Sequence, residues 1–554
     1  MARRIRWQIV ITLLTTLVVT ALLGRLALRS AISSPLAGGI YTEALVGRPA
    51  QLIPLLNDPL ADPLGRDLSA LLFDGLMRVG ADGLLEPALA ADYQLDQSQE
   101  VYTFFLRDDV RWHDGQPFST DDVLFTIQAI QEQELGDPAL ISFWQRVLVD
   151  RIDRYTVRFT LDGPYAPFLS MARLPILPAH LLRELPPEQW AESAYAKLPI
   201  GTGPYFLTAI SDTSALLEAN TAYFGGAPLL ERVELRFIAT IEAAAAALIR
   251  GDVQALGGRA GGGLAEANLA PDLQRSFVPL DEYVVLSFNL RTAPLDNQGL
   301  RQALAYGLDK DALIETALGG LATPLDTPIV PGWWAYDATK RWYLPDQALA
   351  GQLLGEQGYE PGVDGTRFRD GQPLTLELIT DENPRRIAVA EAIARQWAAI
   401  GVAVRVVSLG GTELINRLGE GRFTMALHSW VRLGPEPDVY PLWHSSQAAG
   451  GFNYAGLRDP EIDVLLENAR ADAEIAARAE NYAAFQDRWI ELAPSITLYR
   501  PLYLFIADAQ LSGLGFDDPQ SAASALLIGP EDRYRAVTRW YVNRTREIDG
   551  SLRP

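Results

Sequence analysis

Residues Leu374–Leu409 read LTLELITDENPRRIAVAEAIARQWAAIGVAVRVVSL, and this stretch decides the fold class. Leu374–Thr380 alternates apolar and polar residues as a strand does, and Ile387–Ile400 repeats apolar residues at the spacing of an amphipathic helix. Gly401 stands where a helix-ending glycine is expected, and VAVRVVSL returns to a strand pattern. The order then repeats, with ELINRLGEG as helix and FTMALHSW as strand. Alternating strands and helices predict a mostly parallel sheet covered on both faces.

Working outward, an earlier segment has the same grammar. Glu242–Arg250 (EAAAAALIR) reads as a helix, Gly251-Asp252 ends it, and VQAL begins a strand. Helix, glycine and strand in two distant places predict two α/β lobes with a cleft between them, and open α/β sheets bind ligands at the carboxyl ends of their strands. The 554 residues allow two to four domains, and a hydrophobic content of 48% describes a globular chain. A formal net charge of −22 excludes a broad nucleic-acid surface, which needs clustered Lys and Arg to displace counterions. Cysteine is absent, which removes disulfides, thiolate metal sites, cysteine nucleophiles and a cysteine-linked lipid anchor. The GGRAGGG run at Gly257–Gly263 lacks the Gly-Lys-Ser/Thr of a phosphate loop and reads as a flexible connection.

The N-terminus breaks the acidic balance. Residues 1–42 hold Arg3, Arg4, Arg6, Arg25 and Arg29 and no acid. Between Arg6 and Arg25 lie 18 uncharged residues, WQIVITLLTTLVVTALLG. As a helix they would be about 27 Å long, against about 30 Å for the hydrocarbon core of a bilayer. Basic residues ahead of an apolar run predict a cytoplasmic N-terminus, and no clean small-residue cleavage site follows. Residues 1–37 are therefore read as a retained transmembrane anchor, or else as a signal, with the remainder outside the cytoplasm.

RWHDGQPFSTDDVLF at Arg111–Phe125 sets a histidine beside an aspartate in a chain with four histidines. The strand VYTFFLR precedes it, Asp114-Gly115 makes a tight turn, and Ser119 with Asp122 forms a capping box for a new helix. Both acids near His113 are thus accounted for. The other histidines show no metal-ligand spacing, so His113 reads as a local structural residue.

These segments resemble extracellular solute-binding proteins of family 5, the dipeptide, oligopeptide and nickel receptors of ABC importers. The resemblance rests on colinear segments: GLMRVGADGLLEPALAADYQL, RWHDGQPFSTDDVLFTI, IGTGPYFLTAI, NTAYFGGAPLLERVELRFI, LSFNLRTAPLDNQGLRQALAYGLDKDALIETALGG, IVPGWW, NYAGLRDPEIDVLL and ELAPSITLY. It implies a two-lobed periplasmic-binding-protein-like fold of type II, α/β in class, with a hinge and an extra α+β domain inserted in the first lobe. The implied partition is 38–56, 175–282 and 503–545 for lobe I, 57–174 for the insertion and 283–502 for lobe II.

The resemblance also implies where a ligand would sit. Oligopeptide receptors of the family pair a peptide's amino terminus with an aspartate shortly after a tryptophan. Trp430 matches that tryptophan, but Leu433 stands at the position of the aspartate. Glu436 or Asp438 could supply the charge from a shifted loop. Trp333, Trp334, Trp430 and Trp443 are candidates for stacking, Arg432 for pairing with a carboxylate, and His444 for ligand contact.

The implied function is a non-catalytic receptor. It would capture a peptide or similar small solute in the cleft and pass it to ABC permease subunits, with no cofactor and no nucleic acid. An oligosaccharide or a metal chelate is the alternative ligand in the same fold. No Ser elbow or HExxH helix supports an enzyme, and MARRIR is too little chain for a cytoplasmic signalling output.

Overall fold

A computed structural model of the chain describes residues 14–17, 31–57, 61–80, 83–261, 264, 273–339, 343–431, 434–515 and 526–548. The stretch from Leu374 folds with the alternation its sequence shows. Thr375–Asp381 is a strand, Pro384–Ala398 a helix, Ala403–Leu409 a strand, Gly411–Gly419 a helix and Met425–Val431 a strand. Asn383 opens the first of these helices by accepting from the Arg385 and Arg386 amides, with Pro384 at its first position. Gly401 has φ +83°, and a Cβ there would lie 2.4 Å from the Gly365 carbonyl oxygen. Both facts restrict the position to glycine.

One long sheet organises the molecule. Its first half contains β1 (Ile40–Val46), β2 (Tyr205–Ile210), β3 (Ser214–Ala219), β4 (Arg232–Ile238), β5 (Ala255–Arg259) and β6 (Gln274–Pro279). Its second half contains β7 (Glu282–Phe288), β8 (Thr375–Asp381), β9 (Ala403–Leu409) and β10 (Met425–Val431). β11 (Ser495–Ala507) runs through both. The strand order is β9-β8-β10-β7-β11-β5-β1-β4-β3-β2, with β6 also paired to β11. A two-lobed, mixed α/β molecule results.

The expectation of a mostly parallel sheet needs correction. Among the described strands of this sheet, pairing is parallel only at β4/β1, β5/β1, β8/β9 and β8/β10. It is antiparallel where the halves join, because the chain crosses outward and later returns. β6 and β7 form one continuous track beside β11: Val278 faces Tyr503, Pro279 faces Leu502, and Val284 faces Tyr499. Two oppositely directed crossings therefore lie side by side, at residues 280–281 and 501–502. Such a narrow two-stranded bridge is where rotation of one half against the other costs least.

A separate antiparallel sheet orders Ala90–Leu95, Val101–Leu106, Thr156–Thr160 and Leu148–Asp153. Val101–Leu106 buries alternate residues, as a sheet with one covered face requires. The buried face, including Tyr102, Phe104 and Phe159, belongs to the same apolar core as Tyr41, Leu235 and Trp540 of the first half. The second half has its own core around Leu286, Leu378 and Trp397.

The glycine-rich run is also corrected in part. Gly257, Gly258 and Arg259 are sheet residues in β5, and a Cβ on Gly257 would lie 1.8 Å from the Tyr503 hydroxyl. Close strand approach rather than flexibility explains that glycine. Gly262 and Gly263 lie outside the described residues.

His113 and its neighbours fold as read. Ser119 and Asp122 form the reciprocal capping box of helix Thr120–Gln133, and Gly115 turns with φ +85°. The His113 ring joins this turn to another. Nδ1 accepts from the Gly201 amide at 3.1 Å and Nε2 donates to the Gly203 carbonyl at 3.0 Å. Burial pulls the imidazole down to about 4, so it is neutral at pH 7 and one fixed tautomer serves both bonds. The Gly201–Tyr205 turn needs its glycines because Cβ atoms at 201 and 203 would meet the Leu72 and Leu71 carbonyl oxygens at 1.7 Å and 2.6 Å.

Candidate functional site

Helix Pro63–Leu72 begins at Asp62, whose carboxylate accepts from the Gly65 amide at 2.9 Å. That cap aims Arg66 and Ser69 at a cavity of about 490 Å³. The turn Phe73–Arg78, the segment Ser170–Pro175 and residues 531–538 form much of its walls, with Leu55, Asp137, Leu140 and Tyr223 among the rest. The volume suits a small solute.

Charges of both signs stand around an apolar floor that includes Phe73, Met77 and Leu174. Arg535 pairs with Asp532 at 3.2 Å, and Arg66 lies 3.5 Å from Glu531. Asp74 accepts from the Tyr223 hydroxyl at 2.8 Å and the Thr202 hydroxyl at 3.0 Å. Burial pushes its carboxyl up to about 6, against the pull of those two hydrogen bonds. The wall can therefore present hydrogen bonds and either sign of charge to a polar ligand.

A second group of polar residues lies where the two halves meet. Arg386, in the first turn of its helix, reaches Asp381 at 3.1 Å and the Ser429 hydroxyl at 3.1 Å. Arg259 pairs with Glu282. The Tyr499 side chain is 5% exposed, and burial raises its hydroxyl to about 12, while Arg386, Arg385, Glu282 and Asp381 act on it electrostatically. Among the described residues, three guanidiniums (Arg259, Arg385 and Arg386) face two carboxylates (Glu282 and Asp381) here, an excess of one positive charge. Trp430 follows at the end of β10, stacked on Tyr454 with centroids 5.2 Å apart and planes at 18°. Phe452, 51% exposed, stands edge-on to it at 6.0 Å.

The other residues singled out by sequence have definite places. Trp333 is buried and its indole N–H donates to Asp281 at 2.9 Å. Trp334 is capped by the Arg478 guanidinium at 4.8 Å from its ring, and Trp443 is buried edge-on to Trp489. His444 is buried, stacked on Tyr440 at 4.0 Å, with its ring nitrogens toward Ser446 and Glu467. Glu436 is paired with Arg478, and Asp438 with Arg470 at 2.6 Å. Each carboxylate is thus matched by its own guanidinium, which leaves less to offer an incoming ammonium. Arg432 and Leu433 lie outside the described residues.

The cavity brings together none of those sequence candidates. Sequence reading passed over Arg66, Asp74 and Arg535. One signal was available: Asp74 interrupts the apolar run LLFDGLM, and an acid in such a setting needs partners.

The family model for bacterial extracellular solute-binding proteins, family 5, matches residues 85–452. The chain is 30% identical over 459 residues to Protein XP55 of Streptomyces lividans, covering 80% of each. It is 25% identical over 490 residues to the oligopeptide-binding protein AppA of Bacillus subtilis, covering 85% of this chain and 88% of AppA. Among solved structures it superposes on NikZ from Campylobacter jejuni, crystallised with Ni(L-His), with a TM-score of 0.68 at 25% identity, over 91% of this chain and 99% of that one. The chain belongs to the bacterial extracellular solute-binding proteins of family 5.

Proposed function

We propose that the chain is a binding protein of an ABC importer, which captures a peptide or a similar small solute between its lobes and delivers it to a membrane permease. The observation that carries this reading is the double crossing at residues 280–281 and 501–502, a hinge-like bridge between two half-sheets that each have a core of their own and share a small apolar cluster of Val79, Tyr283, Trp333 and Leu526 beside the crossing. A ligand that contacts both halves stabilises their closed arrangement by its differential affinity for it. In this reading residues 283–502 form the second lobe and 57–174 an insertion in the first, and the position of the bridge supports the bounds of the second lobe.

In this reading the junction around Tyr499 takes an anionic end of the solute, because Arg259, Arg385 and Arg386 leave one positive charge over. Trp430, Phe452 and Tyr454 give its apolar part a surface to stack on. AppA, named for oligopeptides, supports a peptide ligand, whereas the Ni(L-His) in NikZ supports a small chelate as the alternative.

The protein works outside the cytoplasm, held by the apolar run at residues 7–24. Only Leu14–Leu17 of that run are described, as helix, and no helix among the described residues is long and apolar enough to cross a membrane. Native mass spectrometry of the chain purified from its own host tests the reading. A retained peptide mixture is expected. A homogeneous sugar or a metal chelate would replace the peptide assignment, and catalytic turnover abolished by one cleft substitution would overturn the receptor.

A further inference from the structure

Asp281 occupies the first of the two crossings, between β6 and β7, and its side chain is wholly buried. One carboxylate oxygen accepts from the Trp333 indole at 2.9 Å and the other from the Gly434 amide at 2.7 Å. Its own amide donates to the Leu527 carbonyl at 2.7 Å. The neighbouring Leu280 carbonyl receives Arg500 of β11, whose guanidinium also donates to the Pro331 carbonyl at 2.9 Å. The crossing is therefore bonded to segments around 331–334, 434 and 527 that are far apart in sequence.

Gly434 lies between Trp430 and the acids Glu436 and Asp438 and begins the described segment 434–438. The far end of that segment is held by Arg478 and Arg470. Arg470 also reaches the inserted region, since its carbonyl accepts from the Ala166 amide at 2.9 Å and its guanidinium lies 5.3 Å from the Tyr165 ring. One end of the segment thus answers to the crossing and the other to the opposite lobe.

We propose that Asp281 is a positioning residue that ties the 434–438 segment to the crossing between the lobes, so that a change in lobe angle is transmitted to the segment following Trp430. A carboxylate suits this place because it can accept two N–H bonds on separate oxygens, whereas an amide or a protonated acid cannot accept equally on both. Burial pushes the Asp281 carboxyl up to about 7. The charged groups facing it are Arg500 from β11, which lowers it, and Asp532, which raises it and is itself paired with Arg535. Adjacent Glu282 is matched by Arg259. Protonation on falling through about pH 7 removes one of the two acceptors, and the 434–438 segment loosens.

This extends the receptor reading, but its test needs no ligand. Amide hydrogen exchange at Gly434, corrected for intrinsic rate, is followed from pH 5.5 to 8.5 in the full chain, in Asp281→Asn and in Asp281→Glu. Expected in the wild type is a protection that falls at least tenfold as pH drops through about 7. Asp281→Asn should show the low value throughout, and Asp281→Glu should restore some of the pH dependence. Gly434 protection that is flat with pH in the wild type and equal in Asp281→Asn would overturn the proposal. The wild-type series decides the matter even if a variant fails to fold. If protection tracks Asp281 while a cleft substitution abolishes a catalytic turnover, the receptor reading fails and this one stands.

Discussion

Nη1 of Arg385 donates to the carbonyl oxygen of Ala260 at 2.6 Å, joining the first turn of helix Pro384–Ala398 in one half to the chain just beyond β5 in the other. Outside the crossings, this bond is a direct tie across the gap between the half-sheets. A hydrogen bond from a charged donor contributes about 1.5–3 kcal/mol, roughly tenfold or more in an open-to-closed equilibrium. Arg385→Ala should therefore shift the ligand-free chain toward an open form. Small-angle scattering is expected to show a larger radius of gyration with an unchanged melting transition, and equal radii would mean that the contact does not hold the lobes.

A different arginine is expected to control stability. Arg533 is 1% exposed and spans two buried acids, Glu43 through Nε at 2.9 Å and Asp67 through both terminal nitrogens at 2.7 and 2.9 Å. Tyr534 and Tyr41 donate their hydroxyls to Glu43 as well. Arg533→Met leaves two carboxylates in the core with no cation. Removing one partner of a buried ion pair costs about 3–5 kcal/mol, so the urea midpoint of the first lobe should fall sharply. Replacing Glu43 and Asp67 by Gln and Asn in the same chain should recover part of the loss, because the uncompensated charges are then gone.

These two arginines mark the boundary of what the sequence makes legible. Strands, helices and their caps are local, so Gly401, Asn383 and the Ser119–Asp122 box can be read from residues within a few positions of each other. Arg385 and Ala260 are 125 residues apart, and Arg533 and Glu43 are 490 apart. Nothing periodic links them. The same holds for the cavity, whose walls come from residues 54–79, 136–140, 170–175, 204–225 and 531–538. The sheet departs from the mostly parallel arrangement for the same reason. Local β/α alternation predicts parallel neighbours, whereas the antiparallel join is made by β7 and β11, whose pairing is set by the return of the chain.

Asp74 offers a pH test of the cavity. Its carboxyl titrates at about 6 in the folded chain, against about 4 in an unfolded one. The folded state therefore keeps its proton where the unfolded state has lost it. The associated stability is fully present below about pH 4 and is lost as pH rises to about 6. In Asp74→Asn that loss disappears, since the Tyr223 and Thr202 hydroxyls can rotate to suit the amide. Urea midpoints of the two chains should match near pH 4 and diverge in favour of the variant by pH 7. A constant difference across that range would show that Asp74 is not held in its neutral form by the wall.

His113 carries the opposite sign. Its ring titrates at about 4 in the folded chain and at about 6.5 in an unfolded one, so between these values only the unfolded state takes up the proton. Stability due to the neutral ring is complete above about pH 6.5 and is lost as pH falls toward 4. His113→Gln keeps one acceptor and one donor for the Gly201 amide and the Gly203 carbonyl, and it does not titrate. The variant should be modestly less stable at pH 8, where an imidazole fits the turn better, and should lose less than the wild type between pH 6.5 and 4. Added zinc should leave both melting temperatures unchanged, because both ring nitrogens already serve the Gly201–Gly203 turn. A zinc-dependent rise that vanishes in His113→Gln would instead make the histidine a ligand and undo its structural role.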